Sequence, residues 1–335
     1  MMDFPATLGL ASEDIEGLIV AAGHAPSLHN SQPWQFRIRP DMIELYNDPE
    51  RALPAADPTG REQRLACGAA LYNLRLALLG HGIRPLVTHM SDPNRPDLLA
   101  RVRHGGRRHP TPEQLQLLRA VPLRRTNRHP FTDESVTSAE RTAMRRAALE
   151  EGALLQFVDD PAQRAALQGL AGNAHAVQQS DPAFRAEMAR WIAVAPGRSD
   201  GVPAQPGEHR PSAHERWMKR DYTGEHGRAA VELGGGFEQE PTIAILSAHL
   251  FGSDTEVAAG QAMQRVLLTA TTDGLSASFL SHMIEVDSAR LEMQRILRGL
   301  RGPQVVLRIG RGWPVSATPR RPVRELLRPG LPTTV

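Results

Sequence analysis

APSLHNSQPWQFRIR, residues 25–39, decides the reading of this chain. Prolines at 26 and 33 fix two φ angles and keep the segment between them out of a helix. Trp34, Phe36 and Ile38 then alternate with Gln35, Arg37 and Arg39, the period of a half-buried strand, and Ile43 and Leu45 suit its hairpin partner. Upstream, Ser12 is a plausible N-cap followed by Glu13 and Asp14, and Ile15, Leu18, Ile19 and Ala22 recur at helical spacing up to Gly23. A helix-to-strand connection needs only about two to six residues. This one is longer, and it presents Ser27, Asn30 and Gln32 on a stiff loop at the end of a strand. On residues alone two readings stay open. Either these side chains hydrogen-bond the polar rim of a flat heterocycle, or they satisfy backbone groups of the turn itself.

Working outward, residues 61–79 carry Leu65, Leu71, Leu74 and Leu78 on one side of a long helix, stopped by Gly80 and Gly82 before the strand-like IRPLVTHM. A second unit opens near residue 120. Thr137 and Glu140 form a capping-box pair for a helix at 138–150, and ALLQFV reads as a strand. Helical stretches at 160–175 and 181–193 follow. Residues 195–238, rich in proline and glycine at their start and ending in ELGGGF, read as a long loop or lid. Regular structure resumes with PTIAILSAHL, a helix at 256–273, the strand LSASFL, a helix at 287–298 and the strand QVVLRIG. Laid without gaps over residues 259–277, residues 67–85 place Gly68 on Gly260, Ala70 on Ala262 and Gly82 on Gly274, with Leu71, Leu74, Leu78 and Ile83 on Met263, Val266, Ala270 and Leu275. Matching glycines at both ends of an apolar stripe argue for one helix-to-strand element used twice. The expected fold class is α+β, in two tandem halves bounded at 1–115 and 116–335.

Composition narrows the function. At 335 residues the chain can bury a sizeable core. No run of about 18 apolar residues could span a membrane, and the acidic start lacks the layout of a secretory signal, so a cytoplasmic location is expected. The single cysteine, Cys67, excludes an internal disulfide and a thiolate cluster, and no H-E-x-x-H spacing occurs, so no metal is expected. Although the pI is near 9.1, the formal charge is only +2; all but one of the 39 basic residues are arginine. Aromatics are 4%, with none of the interleaving that a nucleic-acid binder uses.

The 25–36 stretch resembles the APSxxNxQPWxF segment of the flavin-dependent nitroreductase family, at Ala25, Pro26, Ser27, Asn30, Gln32, Pro33, Trp34 and Phe36. In that family this loop lies against the isoalloxazine ring of FMN. The resemblance thus implies a nitroreductase-like fold, each half a mostly antiparallel sheet flanked by helices, the two forming an intramolecular pseudo-dimer. Leu28 stands in the flavin-facing turn where many relatives have a second serine, a change that would cost a hydrogen bond. The family's phosphate-binding RRSxR string is absent before residue 25 and has its likeness in RRTNR, at Arg124, Arg125, Thr126 and Arg128. Guanidinium forks and a hydroxyl suit a phosphate dianion. DGLSASFLSHMIE resembles the family's strand whose following main-chain N–H groups, here at Ser281 and His282, approach flavin N5. GRGWPVSATPRRPVREL resembles its closing signature, with Arg320 and Arg321 on the phosphate side. The turn kept in one half and the arginines in the other imply one composite FMN site.

ERALPAADPTGREQRLACGAALYNLRLAL and the tandem layout resemble the Acg-type branch. The implied activity is NADH- or NADPH-dependent reduction of a nitroaromatic, quinone or similar small acceptor through the flavin, with no side-chain nucleophile or base required. The alternative is a non-catalytic, Acg-like flavin-binding or sequestering protein whose 195–238 segment closes off the ring.

Overall fold

The computed structural model describes residues 7–90, 92–195, 197–203, 217, 220–222, 240–248, 253–299 and 302–328. Helix α1 (Ser12–Gly23) starts at Ser12 itself, with Ala11 in the cap position. The proline-flanked turn comes next, then β1 (Trp34–Arg39) and β2 (Met42–Asn47), paired with Phe36 opposite Leu45 and Ile38 opposite Ile43. The period-two pattern therefore puts Trp34, Phe36, Ile43 and Leu45 wholly inside. Beyond them lie α2 (Arg61–Gly80), β3 (Ile83–His89), β4 (Leu98–Arg107) and α3 (Pro112–Ala120). Neither β4 nor α3 was expected from the sequence; β4 buries Leu98, Leu99, Ala100 and Val102, but Arg101, Arg103 and the polar run after them break its apolar pattern.

The later half holds α4 (Ser138–Glu150), β5 (Ala153–Phe157), α5 (Pro161–Ser180), α6 (Pro182–Trp191), β6 (Ile192–Val194), β7 (Val202–Pro203), β8 (Thr242–Ala248), α7 (Ser253–Thr272), β9 (Ser276–Phe279), α8 (His282–Glu285), α9 (Asp287–Ile296), β10 (Pro303–Gly310) and α10 (Val323–Leu326). The expected capping box forms: Thr137 Oγ1 accepts from Glu140 N at 3.3 Å while Glu140 Oε2 accepts from Thr137 N at 2.8 Å. Asp181 separates α5 from α6 because its side chain accepts from Ala183 N at 2.8 Å and Pro182 has no N–H to continue a helix.

The two four-stranded sheets have the same antiparallel plan, in the orders β1-β2-β4-β3 and β5-β8-β10-β9. Gly82 and Gly274, matched in the repeat, both take φ +73° as the chain leaves a helix for a strand. The sheets share one core, in which Trp34, Leu71 and Leu74 of the first half join Val266, Leu307 and Ile309 of the second. Burying each such side chain contributes about 1.5–3 kcal/mol, so the halves stand as one folding unit. Between β5 and β8 lies an inserted region without counterpart in the first hairpin. Most of the 195–238 loop expected from the sequence lies outside the described residues.

Two crossings tie the ends of the sheets to distant segments. Thr126 pairs in parallel with Ala277, and Asn127 N donates to Ala277 O at 2.9 Å, so the 124–128 segment runs along the β9 edge of the second sheet. Leu327 pairs in parallel with Phe36, and Arg328 N donates to Phe36 O at 2.8 Å, which carries the segment after β10 onto the β1 edge of the first sheet. Each arginine-rich string is thereby delivered to the seam between the halves.

Candidate functional site

The turn at 25–34 is strained. His29, Asn30 and Gln32 take φ of 51°, 55° and 50°, a region that costs a non-glycine residue energy, least for asparagine. The strain is offset by a dense set of bonds. Ser27 Oγ accepts from Gln32 N at 2.9 Å. Asn30 Nδ2 donates to Gly201 O at 2.9 Å and Pro319 O at 3.0 Å, while its Oδ1 accepts from Arg320 Nη1 at 2.8 Å. Gln32 Nε2 donates to Ser199 O at 2.9 Å, and its Oε1 accepts from Arg321 N at 2.9 Å. One short turn thus binds both the inserted region and the C-terminal arginines.

Three guanidiniums meet beside it. Arg124 Nη2 and Arg320 Nη2 both donate to His24 O, at 3.4 and 3.5 Å, and Arg125 lies close enough to act on both charges. Among the described residues no carboxylate pairs with any of the three. Burial, then the neighbouring cations, push Arg124 down to about 9 and Arg320 down to about 10. The Nε atoms of both are buried without a hydrogen-bond partner among the described residues. Guanidiniums stay protonated under ordinary conditions, so the depression reflects first the cost of burying these charges and then their mutual repulsion. An anion between them would remove that cost.

A second polar group joins the inserted region to α8. Arg220 is buried and bonds Glu285 Oε2 at 2.6 Å and Gln178 Oε1 at 2.8 Å. It acts on His29 and His282, both buried, and holds neither as a cation; burial comes first in each case, putting His29 well below its ordinary value and His282 at about 3. Among the described residues, both ring nitrogens of His29 and Nε2 of His282 find no partner. Tyr222 stands 6.0 Å from the His29 ring.

The residues singled out in the sequence divide accordingly. Arg124, Arg125 and Arg320 come together with the turn. Arg128 does not join them; its guanidinium lies 4.0 Å over the Tyr222 ring. Arg321 is compensated by Asp48 and Glu325, each at 3.7 Å. Thr126 gives its main chain to the β9 edge. Leu28 packs with Leu53, Ala56, Phe184 and Met188 against α6, and Pro26 is buried at the head of the turn. Ser281 and His282 open α8, where their main-chain N–H groups find no acceptor among the described residues. Sequence reasoning missed His24, His29 and Arg220, whose importance comes only from segments far away along the chain.

No family model matches the sequence. The chain is 29% identical over 337 residues to a Mycobacterium tuberculosis protein named "Putative NAD(P)H nitroreductase Rv3131", covering 94% of this chain and 91% of that one. It is 27% identical over 322 residues to "Putative NAD(P)H nitroreductase acg" of the same organism, covering 95% and 96%. Among solved structures, a nitroreductase with bound FMN from Desulfitobacterium hafniense DCB-2 overlaps 63% of this chain and 95% of its own at 13% identity and a TM-score of 0.39. The similarity to the two mycobacterial proteins extends over 94–95% of this chain, and over that length the chain resembles the Acg-type nitroreductases.

Proposed function

We propose that this chain binds one FMN in a composite site and acts as an NAD(P)H-dependent oxidoreductase on a small nitroaromatic, quinone or similar acceptor. The observation that carries the reading is the convergence of Arg124, Arg125 and Arg320 with no carboxylate among the described residues to neutralise them. The fit to the cofactor is chemical. A phosphate dianion suits the three cations, and the orphaned nitrogens of His29 and His282 suit the polar edge of a heterocycle. Bound FMN would supply the redox chemistry, taking a hydride from NAD(P)H and passing electrons to the acceptor. The chain's own residues bind and orient. Arg124 and Arg320 would hold the anionic tail, the main-chain N–H groups of Ser281 and His282 would be available to the ring, and buried His29 and His282 would donate or accept while staying neutral.

A second reading, that of a flavin-sequestering protein without turnover, is favoured by the contacts of the inserted region. Ser199 and Gly201 are bonded to the turn, and Asp200 to Arg51 at 2.9 Å. Tyr222 is held between Arg128 and His29, which suits a cover over the ring side. Purified protein with a flavin absorption spectrum and one FMN per chain supports the shared cofactor reading; protein that binds neither FMN nor riboflavin overturns it. Multiple turnovers with NADH or NADPH and an acceptor then remove the sequestering alternative, and a flavin that stays oxidised removes the catalytic one.

A further inference from the structure

We propose that Asn30 is a positioning residue that makes the site selective for a phosphorylated ligand, by holding Arg320 with an acceptor that carries no charge. The inference rests on the FMN reading. Arg320 Nη1 bonds Asn30 Oδ1 at 2.8 Å, Thr318 Oγ1 at 2.6 Å and Pro319 O at 3.1 Å, and Nη2 reaches His24 O at 3.5 Å. Every one of these acceptors is neutral. The next residue shows the other arrangement: Arg321 stands 3.7 Å from carboxylates of Asp48 and Glu325. A guanidinium paired with a carboxylate has little left for a ligand, whereas one fixed by neutral oxygens keeps its whole charge.

Asn30 suits the task because all of its polar atoms are committed. Its amide donates to Gly201 O and Pro319 O, so Oδ1 is turned toward Arg320 and cannot swing to a ligand. The left-handed φ of 55° at Asn30 fixes where that oxygen sits. Asn30 therefore acts on the ligand through Arg320 and has no free donor for a flavin ring. Placed there, an aspartate would keep an acceptor oxygen and cancel the charge.

The test compares dissociation constants for FMN and riboflavin, read by flavin fluorescence on flavin-free protein, in wild type, Asn30→Asp and Asn30→Ala. The wild type is expected to prefer FMN. In Asn30→Asp the FMN constant should rise about 10- to 100-fold, the loss of one charge-assisted contact, with riboflavin little changed. Asn30→Ala should lose about tenfold for FMN, again with riboflavin little changed. A merely structural role weakens both flavins together. An unchanged FMN-to-riboflavin ratio in both variants, or a parallel loss of both flavins, would overturn the proposal. If Asn30→Asp fails to fold, as circular dichroism would show, Asn30→Ala decides by the same criterion. A wild type that does not prefer FMN defeats the FMN reading and this inference with it. A wild type that prefers FMN and loses the preference in Arg124→Ala, but keeps it in both Asn30 variants, defeats this inference alone.

Discussion

Gly68 and Gly260 lie back to back where α2 crosses α7, so close that a Cβ built on Gly260 would fall 2.9 Å from the Gly68 Cα. A Cβ on Gly68 would run into the Val257 carbonyl group, and one on Gly260 into that of Leu65. The neighbours are main chain, so neither helix can yield by turning a side chain. Gly68→Ala or Gly260→Ala should force the helices apart and cost about 1–3 kcal/mol or more, read by chemical denaturation. Gly82→Ala should cost less, since its penalty comes from φ +73° with open space around it. Equal costs at the three positions would show that the helix crossing tolerates more than this packing implies.

Arg124→Ala and Arg320→Ala should move affinity and stability in opposite directions. Each removes a charge-assisted contact to the phosphate, so FMN affinity should fall about 10- to 100-fold while riboflavin is spared. Each also removes one of three mutually repelling cations, so the flavin-free protein should melt at a higher temperature than wild type. Calorimetry with and without FMN checks both signs. A variant less stable without flavin would mean that the guanidinium serves the fold rather than the ligand.

Acid should destabilise the flavin-free protein. Burial first, then nearby guanidiniums, lower His24 to about 4 and His282 to about 3, against 6.5 for an ordinary histidine. Between those values the unfolded chain binds more protons than the folded one, so stability rises with pH. The stability present at pH 7 is therefore lost as pH falls from about 6.5 toward 4. Urea unfolding at pH 7.5, 6.5 and 5.5 should show the decline, and His24→Gln and His282→Gln should each flatten it. A slope that neither variant changes would assign the acid sensitivity to other groups.

Much of this was legible in the sequence because it rests on local pattern. The alternation from Trp34 gave the first strand, and the gapless match of residues 67–85 with 259–277 laid Gly68 on Gly260, which prove to touch. The pair RRTNR and PRRP marked the two arginine strings, but not which guanidinium goes where. Arg128 turns to Tyr222 and Arg321 to Asp48 and Glu325 because their partners come from other elements, and nothing in the spacing tells them from Arg124 and Arg320. Asn30 and Gln32 looked like donors to a ligand; their partners, Gly201, Pro319, Ser199 and Arg321, lie more than 160 residues away in the chain.

Those same bonds make the turn a clasp on the inserted region, and the clasp can be opened from one side. Gln32 is fully buried; its Nε2 holds Ser199 O at 2.9 Å, one residue after the exposed Arg198. Arg51 adds Ser31 O at 2.6 Å and Asp200 at 2.9 Å, fixing the same stretch to the first half. Gln32→Leu removes the Ser199 bond and leaves the Arg321 N–H without its acceptor, at about 1–3 kcal/mol for the buried donor. Trypsin should then cut after Arg198 several-fold faster than in wild type, because cleavage follows the population of the locally opened form. Mass spectrometry of the first fragments locates the cut. If the inserted region also shields the flavin, the same variant should let NADH or NADPH reduce bound FMN faster. Faster cleavage without faster reduction would separate the clasp from any control over access, and unchanged cleavage would show that Arg51 and the Asn30–Gly201 bonds hold the segment without Gln32.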